Sequence, residues 1–325
     1  VVTADDNVGV IAVNEDEIET IAGAGAIGIE SGGIGLSVVV NQIDGDTIAS
    51  ISNSTVDANG FDGNDSFAVN TGELVDAPDV SSNSAPSAFT PSLAEKQKNV
   101  SGLAVVATSD QAVAANAGTF GGGTAGAGAI LPVTTIIGSN AQALITGGSV
   151  DAHLSGDPKS TSFRVPTLDV RAGNHSYTGD FVAAIAGGGG DSIAAGVGTV
   201  KFDDHAKAYI ADATIGTNSQ NISLLGDVDV EANSTQAAAT IVLGGAGSMN
   251  GGAASLAITL FSADTEAYIT GGSLTGAGLT VNATSDNAIN VLDGAAAIGS
   301  NGVGGSIAVT INNDTTLGYV GDMAN

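Results

Sequence analysis

The chain contains no cysteine and no tryptophan, and it is poor in cations and aromatic rings. Across 325 residues, 7 Lys and Arg face 34 Asp and Glu, a formal net charge of −27, alongside 8 Phe, 4 Tyr, 6 Pro and 3 His. Each scarcity excludes something. A chain this acidic lacks the basic footprint that neutralises phosphates, so a nucleic-acid partner is not expected. Without cysteine there is no disulfide framework, thiol nucleophile or thiolate metal site. Three histidines, His153, His175 and His205, leave little room for a histidine-ligated metal centre. No apolar run reaches the ~18 residues of a membrane-spanning helix, so no transmembrane segment is expected. No basic stretch followed by an apolar one opens the sequence, so a leader is absent or already removed.

What is present is apolar and small. Hydrophobic residues make up 43% of the chain, the mean hydropathy is +0.28, and there are 48 Gly. That is above the hydrophobicity of disordered chains. Gly and β-branched residues suit stacked strands with tight corners.

Internal repeats set the fold expectation. One signature reads Leu103-Ala-Val105-Val-Ala107, Leu168-Asp-Val170-Arg-Ala172, Val228-Asp-Val230-Glu-Ala232 and Leu279-Thr-Val281-Asn-Ala283, with Val2-Thr-Ala4 as a truncated first copy. Its apolar residues alternate with period 2, the mark of a strand with one buried face. A second signature follows each copy: Ala49-Ser-Ile51, Ala143-Leu-Ile145, Ala208-Tyr-Ile210, Ala267-Tyr-Ile269 and Gly318-Tyr-Val320. A third comes just after: Ser54-Thr-Val56-Asp-Ala58, Gly148-Ser-Val150-Asp-Ala152, Ala213-Thr-Ile215 and Gly272-Ser-Leu274. From the first signature's Ala to the second's first residue the gap is 36 (107 to 143), 36 (172 to 208), 35 (232 to 267) and 35 (283 to 318). The first unit gives 45 (4 to 49), which predicts an insertion carrying Glu15-Asp-Glu-Ile-Glu19.

A constant core with variable connections is what a solenoid allows, because each repeat touches only its neighbours. Pro78, Pro86, Pro91, Pro158 and Pro166 fall in connections, and only Pro132 lies in a core segment. Helical repeats are rejected because Gly interrupts every unit, at about 1 kcal/mol each. A propeller is the runner-up architecture. The expected fold is an all-β, right-handed parallel β-helix (β-solenoid) of about five imperfect repeats with loop insertions, each repeat supplying about two rungs. The repeats are placed at 1–58, 103–152, 168–217, 218–276 and 277–325, with a Pro-containing loop or small subdomain at 59–102 and a loop at 153–167.

The stretches Ala295-Ala-Ala-Ile-Gly-Ser-Asn-Gly-Val-Gly-Gly-Ser-Ile-Ala-Val-Thr-Ile-Asn-Asn-Asp-Thr-Thr-Leu-Gly-Tyr-Val320 and Ala253-Ala-Ser-Leu-Ala-Ile-Thr-Leu-Phe-Ser-Ala-Asp-Thr-Glu-Ala-Tyr-Ile-Thr-Gly-Gly-Ser-Leu274 carry a resemblance. They resemble the repeats of large bacterial surface adhesins, the filamentous-haemagglutinin-like and leukotoxin-type filamentous proteins. The resemblance covers units three to five well, unit two fairly and the first loosely. It implies a right-handed parallel β-helix, export to the bacterial cell surface, and a fibrous adhesive or matrix role. It transfers no catalytic residue. The chain begins inside one signature and ends after another, so a slice of a longer array, or head-to-tail self-association into filaments, is expected.

Candidate chemistry is sparse. Asp57, Asn59, Asp62, Asn64 and Asp65 place oxygen donors among glycines, as Ca²⁺ requires, although the run departs from the EF-hand loop; an Asx-rich turn is the alternative. Gly23-Ala-Gly25-Ala-Ile-Gly28 matches a dinucleotide fingerprint in form, but similar Gly-rich runs occur in every unit, which points to crowded corners or close sheet contacts. Glu15, Asp16, Glu17 and Glu19 read as a solvated face. Asp203-Asp204-His205 could be acid/base machinery, but adjacent strand residues diverge. Asp204 aligns with Gly45, Ser139, Ala263 and Asp314, which suggests a shared polar turn. Tyr209, Tyr268 and Tyr319 recur once per unit and suggest a packing ladder, with a carbohydrate-facing surface as the alternative. The expected function is a structural segment of an extracellular bacterial fibre or adhesin, not an enzyme. A module binding a host or cell-surface glycan or protein, through 59–102 or 153–167, and a polysaccharide-active β-helix enzyme are the alternatives.

Overall fold

A computed structural model describes residues 1–4, 6–58, 66–76, 94–152, 167–216 and 226–321. These residues form an all-β parallel solenoid. Its unit is a single wide coil of two long strands and one short one. The first sheet stacks the long strands β2 (Val8–Gly28), β8 (Gly102–Gly123), β11 (Thr167–Gly188), β14 (Asp227–Gly247) and β18 (Gly278–Ile298) in that order. The second stacks the return strands: β3 and β4 (Gly33–Leu36, Val39–Ser52), β9 (Gly126–Thr146), β12 (Asp191–Ala211), β15 and β16 (Asn250–Phe261, Ala263–Thr270), then β19 and β20 (Asn301–Asn312, Thr315–Val320). The third is narrow: β1 (Val2–Ala4), β5 (Thr55–Ala58), β10 (Ser149–Ala152), β13 (Thr214–Ile215) and β17 (Ser273–Leu274). β6 (Phe67–Leu74) and β7 (Glu95–Val100) pair as an antiparallel hairpin between coils 1 and 2.

Pairing follows the signatures residue for residue. Leu103, Leu168, Val228 and Leu279 are successive partners in the first sheet, as are Ala49, Ala143, Ala208, Ala267 and Gly318 in the second. Three expectations are corrected. Each repeat supplies one coil, not two rungs, because its long strands run 21 or 22 residues, about 70 Å of extended chain. The first copy of the opening signature is Val8-Gly-Val10-Ile-Ala12, which pairs with Leu103–Ala107; Val2–Ala4 pairs with Val56–Ala58 and belongs to the third signature. Counted from Ala12 the first unit carries no large insertion, and Glu15–Glu19 lies within β2, on an exposed edge strand.

Pro132 sits in β9, a strand with neighbours on both sides. The strand beside it breaks there, between Leu36 and Val39, whose partners are Ile130 and Val133. A residue without an N–H cannot complete the ladder, so the neighbour is split in two.

The interior is layered along the strands. Near the third sheet lies an apolar cluster of Leu103, Val105, Ile145, Val150, Ile210 and their stacked counterparts. Mid-strand, Phe202 stacks on Phe261 at 4.9 Å beside Ile43, Ile137 and Val200. Toward the distal turns the core is mostly Ala and Val. There the two sheets close to backbone contact, and a side chain on Gly121 would overlap the Gly128 carbonyl. Between the apolar layers sit polar ones. Asp204 accepts from Gln236 Nε2 at 2.7 Å, and Asp180 accepts from Thr135 and Thr178 at 3.2 and 3.0 Å. Asp204 is therefore buried mid-strand in β12, which corrects the polar-turn expectation.

Candidate functional site

The hairpin is the one departure from coil geometry among the described residues, and it builds the densest cluster of charge. Phe67, Val69 and Val100 pack on the outward side chains Ala104 and Val106 of β8. The strand's second face is thereby covered, so both faces of residues 103–109 are buried. Beyond this apolar contact, the outward residues of β8, β11 and β14 are polar. Lys98 of β7 bridges Asp169 and Asp229 at 3.1 and 2.7 Å. Arg171 bonds Asp169 at 2.8 Å and pairs with Glu231, its ladder neighbour on the next coil. Lys98 and Arg171 are both held in their charged forms: burial opposes the charge, but the surrounding carboxylates outweigh it.

The hairpin lies close because two glycines meet. Gly72 adopts φ +70°, and its Cα rests on Gly173, an outward position of β11 where a side chain would overlap it. This contact delivers the Gly72 carbonyl to His175 Nε2, 3.0 Å away. On the other side of the ring, Nδ1 lies 2.7 Å from Asp110, its cross-strand partner on β8, and 3.6 Å from Glu95 of β7. Reactive atoms of Glu95, Asp110 and His175 all lie within 4.8 Å of one another. The His175 side chain is fully buried and that of Glu95 is 3% exposed. Burial, reinforced by the charge of Asp110, pushes the Glu95 carboxyl up to about 7. For His175, burial opposes the charged form, but the Asp110 hydrogen bond and the charges of Asp110 and Glu95 raise its pKa overall. With both ring nitrogens facing acceptors, the ring donates twice, as an imidazolium does.

Beside this junction a cleft of about 590 Å³ opens between the hairpin and coils 4 and 5, lined by Glu73, Lys96, Asn233, Thr235, Thr284 and Asp286. Its lining mixes amide, hydroxyl and charged groups with apolar surface that includes Leu74 and Ala288.

The residues singled out in the sequence fare differently. Asp57 lies in β5 as the ladder partner of Thr3 and Asp151, partly buried. Asn59, Asp62, Asn64 and Asp65 of the Ca²⁺ expectation lie outside the described residues. His153 lies outside them too. Gly23–Gly28 ends strand β2, and strand β3 follows rather than a helix, so the dinucleotide geometry is missing. Asp203 and His205 point outward and Asp204 inward, so the trio does not converge. Asp203 is held by Lys201 at 2.8 Å, and His205 lies 3.4 Å from Asp264. Tyr209, Tyr268 and Tyr319 form an outward ladder with centroids 4.8 and 5.1 Å apart and interplanar angles of 4° and 9°. Rings that close cover each other's faces and leave no gap for a sugar between them.

Comparison with known protein families, with curated proteins and with solved structures finds no match. No helix among the described residues is long and apolar enough to cross a membrane.

Sequence reasoning missed Glu95, Lys98, Asp110, Arg171 and His175 as a group. The available signal was scarcity: three of the seven basic residues, Lys96, Lys98 and Arg171, meet at this one junction.

Proposed function

We propose that the chain is a structural segment of an extracellular bacterial fibre or adhesin, whose coils stack into a stiff acidic rod and associate with further copies of themselves. The observation that carries this reading is the unbroken parallel register from β2 to β18 and from β3 to β20, in which each coil satisfies the backbone of the next. The resemblance of units three to five to adhesin repeats supports the same reading. An outward apolar face supports self-association. In the distal half of the second sheet the outward residues include Ile34, Leu36, Ile130, Ile193 and Ile307, exposed by 46% or more. No charged residue interrupts that part of the face between Ile34 and Val40, or at the aligned positions of the other coils. Five strands at ~4.8 Å and seven residues at ~3.3 Å give roughly 550 Å², about two thirds of the ~800 Å² each partner buries in a standard interface. Exposed apolar patches of that size mark interaction sites.

Electron microscopy and analytical ultracentrifugation of the full chain test this. Filaments or discrete oligomers are expected that dissociate in Ile258→Lys, an outward position of β15 in the same ladder as Val40, Thr199 and Val309. A strictly monomeric wild type at high micromolar concentration would end the fibre reading. Calcium, held by the acidic surface, is proposed to rigidify or bridge rods, and an unchanged melting temperature and unchanged assembly in EDTA would remove that part.

The second reading, a glycan- or protein-binding module, is favoured by the cleft beside the hairpin. It predicts that Asn233→Ala and Asp286→Ala abolish binding to a glycan array while the rod stays folded.

A further inference from the structure

We propose that Glu95, Asp110 and His175 form a divalent transition-metal site, of the kind filled by Zn²⁺, that fastens the hairpin to coils 2 and 3. The three residues come from three separate elements, β7, β8 and β11, so one ion would tie them at a single point. The separations fit. His175 Nδ1 stands 2.7 Å from an Asp110 oxygen and 3.6 Å from a Glu95 oxygen. A tetrahedral ion with ligand bonds of ~2.0–2.1 Å has ligands about 3.4 Å apart, so Glu95 would close on the ring nitrogen by about 0.2 Å and Asp110 would draw back by about 0.7 Å, within a cluster whose ligand atoms all lie within 4.8 Å of one another.

Two features single this cluster out from the acidic residues elsewhere on the chain. The Glu95 carboxylate is almost wholly buried, and its contacts with the Thr108 side chain and the Gly72 backbone fall short of full hydrogen-bond geometry at both oxygens. Such a group is costly unless a cation neutralises it, and an ion here could take one Glu95 oxygen or both. The second feature is the ring's orientation. His175 Nε2–H donates to the Gly72 carbonyl, which leaves Nδ1 as the donor aimed at the carboxylates. A backbone carbonyl holding the far nitrogen is the usual support for a metal-bound histidine. One imidazole with two carboxylates suits Zn²⁺ better than Ca²⁺ or Mg²⁺, which prefer all-oxygen sets. The site differs in place and chemistry from the Ca²⁺ expectation at 57–65, and it stands whether or not the rod reading holds. Ion and proton compete for Nδ1: without metal the same residues remain a proton-bridged ion cluster.

The test uses the full chain stripped with chelator, then titrated with Zn²⁺ in millimolar Mg²⁺, which occupies the general acidic surface. The expected result is one Zn²⁺ per chain, a melting temperature raised by Zn²⁺ and lowered again by chelator, and at least a tenfold loss of affinity in Glu95→Gln. Asp44→Asn, on the opposite sheet, should leave binding unchanged. Absence of any melting response to Zn²⁺, or equal weakening by Glu95→Gln and Asp44→Asn, overturns the proposal. Should Glu95→Gln fail to fold, Co²⁺ in the wild-type chain decides. Intense visible bands of a four-coordinate ion support the site, and the weak bands of a hydrated ion refute it.

Discussion

Asp204 and Asp180 are carboxylic acids inside the solenoid whose hydrogen-bond partners are neutral: Gln236, Ser176 and the Ser139 backbone for one, Thr135 and Thr178 for the other. Burial pushes each from 3.8 up to about 7, against the lowering effect of those bonds. The direction of the stability effect follows. Between about pH 4 and pH 7 the unfolded chain has released these protons and the folded chain has kept them. Each acid therefore contributes stability in full below about pH 4, and the contribution is lost as pH rises toward 7, by about 4 kcal/mol per group. Asp204→Asn keeps the shape and removes the ionisation. It should melt above the wild type at pH 8 and flatten the difference between pH 4 and pH 8, as read by calorimetry at several pH values. A variant with the same pH profile as the wild type would show that Asp204 is not the titrating acid. The opposite case is Arg171, whose loss strands Asp169, a fully buried acid. Arg171→Met should cost about 3 kcal/mol, measured by denaturant unfolding, and a loss under 1 kcal/mol would mean that Lys98 alone compensates Asp169.

At the scale of elements, the hairpin couples to three coils through β8, β11 and β14, and the Gly72–Gly173 contact sets its distance. Gly173→Ala places a methyl where Gly72 Cα now sits. The hairpin should lift, raising amide exchange in residues 67–74 and 95–100 while β11 itself stays protected; unchanged exchange there would mean that the hairpin accommodates the methyl by a shift. The same contact shows what could be read from the sequence and what could not. Signatures with strong apolar alternation, such as Leu168-Asp-Val170-Arg-Ala172, revealed strand, face and register, because period 2 is visible only where buried and exposed residues differ in type. In the distal half of each coil they do not differ. Ala129, Leu131 and Val133 point inward and Ile130 and Pro132 outward, all apolar, so the alternation fades and one wide coil passes for two narrow rungs. Val8–Ala12 is hard to recognise as a copy because Gly9 stands where the other copies carry an outward side chain; the Phe67 ring of the hairpin packs over that position. The Glu95–Asp110–His175 cluster unites an insertion with two coils 65 residues apart in register, and nothing local in the sequence encodes that meeting.

For the whole molecule, the balance lies between a net charge of −27 and an uncharged apolar face. Acidic residues gather toward the proximal half of the second sheet, at Asp44, Asp46, Asp203, Asp264 and Glu266, while Ile130, Ile193, Ile307 and their neighbours occupy the distal half. Two copies meeting through the distal faces bury hydrocarbon and bring like charges nearer. The first term changes little with moderate salt. The second is screened over a Debye length of ~30 Å at 0.01 M and ~8 Å at physiological ionic strength. Association through this face should therefore strengthen as salt is added. A contact driven by opposite charges at the two ends of the rod would weaken instead. Sedimentation velocity across that salt range separates the two, with a rising weight-average mass expected for the wild type and a flat monomer value for Ile258→Lys. A mass that falls with salt would place the contact at charged surfaces and leave the apolar face to another partner.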